Sequence, residues 1–257
     1  MALRDLLSRP RWTRRRHAAP DGQRWYAIGD VHGCCDVLNT LIRVIDGDDE
    51  QRGATDTRLL FLGDYIDRGP NSRGVIELMM KLDLGDDKVV FLMGNHEEVL
   101  LAAAEGNRRA AALFHKMGGR ETLLSYGVSA QDYDYADTSG IVDMIRAAIP
   151  RDHLEWLAGL RNAYRAGDYF FVHAGVRPGI PLDDQASSDL RWIRGEFLSH
   201  PASHGPLVVH GHSMSPSIDE RPNRIGIDTG AYASGCLTAL GIEGEERWYI
   251  QTGTPQP

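Results

Sequence analysis

Carboxylate, imidazole and amide side chains stand beside glycine in five short motifs along this chain. The motifs are GDVHG at residues 29–33, GDYIDRG at 63–69, GNHE at 94–97, VHAG at 172–175 and HGHS at 210–213. Carboxylate oxygens, imidazole nitrogens and a neutral amide oxygen together form a ligand set for divalent metals. Two closely spaced metals are a common device for attacking phosphate esters. The motifs therefore predict a metal-dependent phosphoesterase.

The candidate metal ligands are expected where strands end. Asp30 and His32 are two positions apart at one strand end, so both side chains can point the same way. Asp64 follows a second apolar run, and a carboxylate there could bridge two cations. The other candidates are Asn95, His173 and one member of the pair His210 and His212. That last pair shares one strand face by periodicity, so its spacing leaves either histidine as the ligand.

Three further residues could act on a phosphorylated substrate. His96 directly follows Asn95 and is well placed to protonate a leaving oxygen. Asp67 could orient that imidazole and raise its pKa, so that it donates a proton near neutral pH. Arg68 could hold phosphate oxygens with its planar guanidinium, a geometry that lysine lacks.

Elements predicted around the first three motifs place them at one edge of a sheet. Each motif follows an apolar run typical of a strand, and residues 36–45 and 72–82 between them have apolar side chains at helical spacing. This alternation implies a parallel sheet with right-handed crossovers. Such sheets bind ligands beyond the carboxyl ends of their strands, where the motifs lie. The glycines before Asp30, Asp64 and Asn95 are expected to allow sharp turns.

The second half of the chain predicts helices followed by further strands. Residues 97–160 have mostly helical patterns, and strand patterns return after Gly167 in DYFFVHAG, PLVVHGHS, NRIGIDTG, CLTALGIEG and RWYIQTG. We expect these later strands to form a second, mixed sheet that packs face to face on the first.

The motifs together resemble a known family. GDVHG, GDYIDRG and GNHE are similar to the three signatures of the phosphoprotein phosphatase family of calcineurin-like metallophosphoesterases. The HAG, GHS and IDTGA segments resemble later motifs of its bacterial branch, to which the phage lambda phosphatase is related. The similarity runs from about Trp25 to about Leu240. It implies an α/β fold with four layers, an αββα sandwich of two mixed β-sheets flanked by helices.

The resemblance also implies two divalent metal ions, most commonly Mn²⁺, with iron or zinc as alternatives. The residues that match the ligands of the first ion are Asp30, His32 and Asp64. Those that match the ligands of the second are Asp64, Asn95, His173 and His212, which favours His212 over His210.

Matches to the family's catalytic residues follow the same motifs. His96 resembles the general acid, Asp67 its partner and Arg68 a residue that binds phosphate. A second phosphate-binding arginine is expected after the HAG motif, where Arg194 is the better match and Arg177 the alternative.

The activity that the resemblance implies is that of a phosphoprotein phosphatase. Such an enzyme hydrolyses phosphoserine, phosphothreonine or phosphotyrosine in a protein or peptide by direct attack of a hydroxide held between the two metals. The alternative is a dinucleoside polyphosphate hydrolase acting on substrates such as diadenosine tetraphosphate. Those enzymes vary the second signature and lose its Asp–Arg pair, so the intact Asp67 and Arg68 favour the phosphatase. A catalytically inactive binding module is disfavoured because none of the expected metal ligands is missing.

Composition narrows the class of protein further. The chain has 257 residues, 42% of them hydrophobic and 25% charged, which suits a globular catalytic domain at residues 24–257. Residues 1–23 are arginine-rich and are expected to form a basic, flexible arm. The net charge of −8 despite this arm disfavours nucleic acid as a partner. No apolar run approaches the roughly 20 residues that span a membrane. Three cysteines give no disulfide framework, so a cytoplasmic location is expected.

Overall fold

The computed structural model describes residues 17–253, which contain two β-sheets of five strands each. The strands are β1 (Gln23–Ile28), β2 (Asp56–Phe61), β3 (Val89–Phe91), β4 (Ala163–Ala166), β5 (Tyr169–Val172), β6 (Leu207–His210), β7 (Asp219–Glu220), β8 (Arg224–Gly226), β9 (Thr238–Glu243) and β10 (Glu246–Gln251).

Most of the helices lie between β3 and β4 in the sequence. They are α1 (Cys35–Arg52), α2 (Ser72–Leu82), α3 (Asn95–Ala104), α4 (Arg108–Met117), α5 (Gly119–Ser125), α6 (Ala130–Asp134), α7 (Thr138–Ala148), α8 (Arg151–Ala158), α9 (Ser187–Trp192), α10 (Gly195–Leu198) and α11 (Ala231–Ser234), with a 3₁₀ turn at Leu182–Asp184. The predicted helix at 72–82 agrees with α2, whereas α1 continues seven residues beyond the predicted end at residue 45.

Strand pairing in the first sheet confirms the predicted parallel arrangement of its first three strands. Its order is β10-β9-β1-β2-β3, and β1, β2 and β3 run parallel. In the second sheet, ordered β4-β5-β6-β8-β7, the central strands β5, β6 and β8 are also parallel. The carboxyl ends of β1, β2, β3, β5 and β6 carry the five motifs, and β8 leads into the IDTGA segment.

The last two strands correct the predicted membership of the second sheet. β9 pairs antiparallel with β1, placing Ile242 opposite Trp25, and β10 then pairs with β9 at the edge of the first sheet. The pattern of apolar and polar residues along a strand indicates which of its faces are buried, but it does not indicate which strand lies beside it. The strand patterns were therefore correct, but their assignment to one sheet was wrong.

Side-chain alternation along the strands builds the four layers. Trp25 and Leu60 point between the sheets and pack in one cluster with Phe171 of β5. The next residues along, Tyr26 and Phe61, point the other way into a cluster that includes side chains from each of α1–α8. On the far side, outward-facing residues of β5 and β6 pack against α9 and α10. The predicted αββα sandwich is confirmed.

Backbone hydrogen bonds hold the residues just before β1 against two turns of the fold. Of the predicted basic arm, residues 1–16 lie outside the described residues. Just before β1, the Ala19 backbone N–H donates to the Gly244 carbonyl at 2.8 Å, and the Asp168 N–H donates to the Ala18 carbonyl at 2.9 Å. Within residues 17–253, no helix combines the length and the apolar composition needed to cross a membrane.

Candidate active site

The strand ends converge as the parallel topology requires. Asp30 lies two residues beyond β1 and Asp64 three residues beyond β2. Asn95, which follows β3, is the first residue of α3. His173 directly follows β5, and His212 lies two residues beyond β6. All five side chains are buried, although they come from both sheets.

Two groups of side chains that could hold a metal ion share the carboxylate of Asp64. One group is His32, Asp64 and His96, and the other is Asp64, His173 and His212. His32 Nε2 lies 3.5 Å from Asp64 Oδ2, whereas His173 Nε2 lies 3.4 Å from Asp64 Oδ1. Each carboxylate oxygen therefore faces a different group, which is the arrangement that a bridging ligand needs.

Asp30 provides the clearest sign that a cation fits this site. Its Oδ2 accepts a hydrogen bond from the His212 backbone N–H at 2.9 Å, but its buried Oδ1 has no hydrogen-bond partner among residues 17–253. Burial and the nearby carboxylates of Asp228 and Asp64 raise its pKa well above the usual range. An unpaired buried carboxylate is costly, and a bound cation would remove that cost.

Neutral histidines complete the donor set. His32 Nδ1 lies 2.9 Å from the Ile66 carbonyl and His173 Nδ1 2.9 Å from the Leu62 carbonyl, so each ring turns Nε2 toward Asp64. Burial lowers the pKa of His32 to about 3 and also lowers that of His173. Both rings are therefore neutral near pH 7, and neutral imidazole is the form that binds metals. Asn95 Oδ1 lies 3.0 Å from His173 Nε2, beside the second group.

The backbone of the site is held in an uncommon conformation. Five non-glycine residues among those described have positive φ, and all were candidates from the sequence: His32, Asp64, Asp67, Arg68 and His212. Such conformations cost about 1–3 kcal/mol each and tend to cluster at functional sites. The surrounding packing must therefore hold these loops in place.

Two positions near the site require glycine because a carboxylate side chain passes close to the backbone there. A Cβ atom on Gly94 would lie 2.1 Å from Asp64 Oδ1, and one on Gly211 would lie 1.9 Å from Asp30 Oδ1. Of the three glycines expected to allow sharp turns, only Gly63 has a positive φ, 105°. Gly94 has an ordinary φ of −89°. It is needed because the carboxylate passes close to its backbone.

His96 and Asp67 form the pair that the sequence predicted. His96 Nδ1 lies 2.6 Å from Asp67 Oδ2, and Asp67 Oδ1 accepts a hydrogen bond from the Thr122 hydroxyl at 2.6 Å. Burial lowers the pKa of His96, but the carboxylates of Asp64 and Asp67 outweigh it, so the net shift is upward. Arg68 Nη2 lies 3.2 Å from His96 Nε2. A guanidinium can only donate, so Nε2 accepts from Arg68 here, and it can take up and release a proton when Arg68 turns to another acceptor.

The structure separates the two arginines that were candidates for the second phosphate contact. Arg194 Nε lies 2.9 Å from His212 Nε2, at the edge of the second group. Arg177 instead forms ion pairs with Asp189 at 2.6 Å and with Glu196 at 2.5 Å. Arg194 is therefore next to the site, whereas the charge of Arg177 is already neutralised elsewhere.

The two histidines of the HGHS motif also have different surroundings. His212 belongs to the group with Asp64 and His173. His210 is the last residue of β6, where its Nε2 lies 3.3 Å from Arg224 Nη1 and its ring packs against Phe197. His212 has a φ of 60°, so the chain has left the strand and the alternation expected from the sequence no longer applies.

Sequence reasoning missed two residues that shape the site. The buried carboxylate of Glu97 accepts hydrogen bonds from the backbone N–H groups of Asp64, Tyr65 and Gly94, at 3.0, 2.8 and 2.9 Å. Its signal was available, since it is the last residue of GNHE. Thr122 gave no signal, because it lies 55 residues beyond Asp67 in an otherwise ordinary helix.

Comparisons with known proteins agree with the fold. The model of the calcineurin-like phosphoesterase family matches residues 24–236. The symmetrical bis(5′-nucleosyl)-tetraphosphatase of Janthinobacterium sp. (strain Marseille) is 33% identical over 300 residues, covering 90% of this chain and 96% of the relative. A solved structure assigned as a diadenosine tetraphosphatase has a TM-score of 0.62 at 21% identity, covering 91% of this chain and 98% of that chain. A mutant cold-active protein tyrosine phosphatase has a TM-score of 0.58 at 19% identity, covering 94% and 84%.

These relatives correct the predicted activity. The expectation of a phosphoprotein phosphatase acting on a phosphorylated protein or peptide was wrong, because the relatives that match over nearly their full length are named as tetraphosphatases. The prediction treated Asp67 and Arg68 as marks of a protein phosphatase. However, the hydrolysis of a phosphate ester and the hydrolysis of a phosphoanhydride both need an oriented proton donor and a residue that holds phosphate oxygens. The match over residues 24–236, most of the sequence, shows that the chain belongs to the calcineurin-like phosphoesterase family.

Proposed function

We propose that residues 24–257 form a catalytic domain that hydrolyses dinucleoside tetraphosphates symmetrically, releasing two nucleoside diphosphates. The observation that carries this proposal is the 33% identity to a symmetrical tetraphosphatase across 96% of that relative's length. The geometry agrees with it, because two buried groups that could hold metal lie between Arg68 and Arg194, and a chain of phosphates needs cations along it.

The proposed ligands divide into two sets that share one carboxylate. Asp30, His32 and Asp64 would hold one ion, and Asp64, Asn95, His173 and His212 the other. The unpaired Oδ1 of Asp30 and the neutral imidazoles support this donor set. Carboxylate and amide oxygens suit Mn²⁺, which we propose ahead of iron or zinc, the metals that the imidazole ligands would also suit. When bound, the two ions lower the pKa of a water and offset charge on the phosphate oxygens.

The remaining residues would position the substrate and move a proton. Arg68 and Arg194 would bind non-bridging oxygens on the two sides of the bond that is cut. Water would form a bond to one inner phosphorus and release a proton to solvent, while the bond from that phosphorus to the central bridging oxygen breaks. His96 Nε2 would donate a proton to this departing oxygen. Asp67 holds the His96 ring through Nδ1 and favours its protonated form.

The test compares substrates of two classes with the same preparation. The purified chain with Mn²⁺ would receive diadenosine tetraphosphate in one reaction and phosphoserine, phosphothreonine or phosphotyrosine peptides in others. We expect adenosine diphosphate as the sole nucleotide product of the first, separated by ion-exchange chromatography. Production of ATP with AMP, or faster dephosphorylation of the peptides, would refute the proposal. His96→Asn, tested in parallel, shows whether the activity arises at this site.

A further inference from the structure

Two exposed aromatic rings lie beside the candidate metal site, each next to a different group of candidate ligands. Among residues 17–253, only three aromatic side chains of tyrosine, tryptophan or phenylalanine are exposed: Tyr135, Trp192 and Tyr232. The Tyr232 ring lies 5.4 Å from the His32 ring, and the Trp192 ring lies 6.5 Å from the His212 ring. Each group of candidate ligands therefore has one partly exposed aromatic ring beside it.

Contacts with neighbouring polar side chains hold both rings. The indole N–H of Trp192 donates a hydrogen bond to Glu98 Oε2 at 2.7 Å. The guanidinium carbon of Arg68 lies 4.8 Å from the centre of the Tyr232 ring. A ring that is already oriented loses little conformational freedom when a ligand stacks on it. Both rings are thus oriented before a ligand arrives.

The arginines proposed to bind phosphate accompany these rings. Arg68 contacts Tyr232, and Arg194 lies two positions after Trp192 and contacts His212. Each side of the site therefore combines a cation for phosphate with an aromatic surface for a base. Aromatic side chains stack on every kind of nucleobase, because each base has a π face. A substrate with a nucleoside at each end of a polyphosphate matches this duplicated arrangement.

We propose that Trp192 and Tyr232 are stacking sites for the two nucleobases of a dinucleoside polyphosphate. This inference rests on the proposed function and deepens it. With one base on each ring, the polyphosphate would cross both ligand groups and place its middle at Asp64, the carboxylate they share.

The experiment measures how much the bases contribute to catalysis. Kinetics of Trp192→Ala and Tyr232→Ala would be determined with Mn²⁺ on diadenosine tetraphosphate and on bis(5′-ribosyl) tetraphosphate, which lacks both bases. For each variant we expect the ratio of kcat/KM for the first substrate to that for the second to fall about tenfold. Because the ratio cancels damage that affects both substrates, loosening of Arg68 in Tyr232→Ala would not imitate the result. Tyr135→Ala, at an exposed tyrosine on another surface, should leave the ratio unchanged.

Conservative variants and a binding measurement separate the remaining outcomes. Trp192→Phe and Tyr232→Phe should keep most of the ratio, because each retains an aromatic ring. An unchanged ratio in both alanine variants would overturn the stacking role while the proposed function stands. If the unmodified chain left diadenosine tetraphosphate intact, the proposed function would be wrong. Calorimetric binding of adenosine diphosphate and ribose 5-diphosphate would then decide the stacking, and equal affinities for the two would overturn it.

Discussion

Asp64 shows most clearly how single residues in this site depend on one another. Burial alone would raise its pKa, but four surrounding imidazoles, those of His173, His96, His32 and His212, hold it well below the usual range. The carboxylate therefore stays ionised. Burial lowers the pKa of His32 and His173 despite this carboxylate, so both rings stay neutral near pH 7 and can offer a lone pair. One charged oxygen donor among several neutral nitrogen donors suits a divalent transition metal.

At the same scale, Arg194 and Arg177 provide a matched pair of variants. Arg194→Ala should lower kcat/KM for diadenosine tetraphosphate about 10- to 100-fold, because a hydrogen bond to a charged partner contributes about 1.5–3 kcal/mol. Arg177→Ala should change it little, since Asp189 and Glu196 already neutralise Arg177. Steady-state kinetics of both variants decide the matter. Equal losses would remove Arg194 from the phosphate-binding role.

Asp67 gives a prediction about pH. His96 must be protonated to donate, so kcat falls as pH rises through its pKa, which Asp64 and Asp67 raise against the effect of burial. Asp67→Asn removes one of these carboxylates and should move the alkaline limb of the pH–kcat profile to lower pH. Profiles at saturating substrate would show the shift. An alkaline limb that stays in place would mean that it reports another group.

At the scale of elements, the sequence predicted where the strands end but not which strands lie side by side. The apolar runs of β1, β2 and β3 each end in a polar, glycine-containing turn, so the positions of Asp30, Asp64 and Asn95 followed from the sequence. Pairing of β9 with β1 did not follow, because it depends on contacts between residues more than 200 positions apart. Trp192 and Tyr232 also gave no signal, since neither lies in a motif of ionisable residues.

Alanine substitutions at two glycines, one within a helix and one in a loop of the site, should change the stability of the protein in opposite directions. Gly47, within α1, has open space where a Cβ would stand, so Gly47→Ala should stabilise the protein by about 0.5–1 kcal/mol through helix propensity. Gly211→Ala would place its Cβ 1.9 Å from Asp30 Oδ1 and should reduce both stability and metal content. Urea unfolding and elemental analysis measure these effects. Retention of metal by Gly211→Ala would show that Asp30 can move aside.

At the scale of the whole molecule, the site joins the two sheets. Asp30, Asp64 and Asn95 follow strands of the first sheet, whereas His173 and His212 follow strands of the second. The cluster of apolar side chains between the sheets fixes their separation and so fixes the distances among the ligands. The same frame serves tetraphosphatases and protein phosphatases, as the solved structures show. For this reason the fold could be predicted while the substrate could not.

Metal binding at the junction of the sheets should therefore stabilise the entire fold. A ligand that binds only the folded state at 100 times its Kd contributes about 2.7 kcal/mol per site, which corresponds to several degrees in Tm for a chain of this size. We expect chelation to lower Tm and abolish activity, and Mn²⁺ to restore both. Asp30→Asn should reduce the gain in Tm, whereas Asp143→Asn, on the exposed side of α7, should preserve it. A Tm that is the same with chelator and with Mn²⁺ would contradict a metal centre that bridges the two sheets. Asp64 and Asn95 follow strands of one sheet and His173 and His212 follow strands of the other, so a cation bound by all four would hold the sheets together.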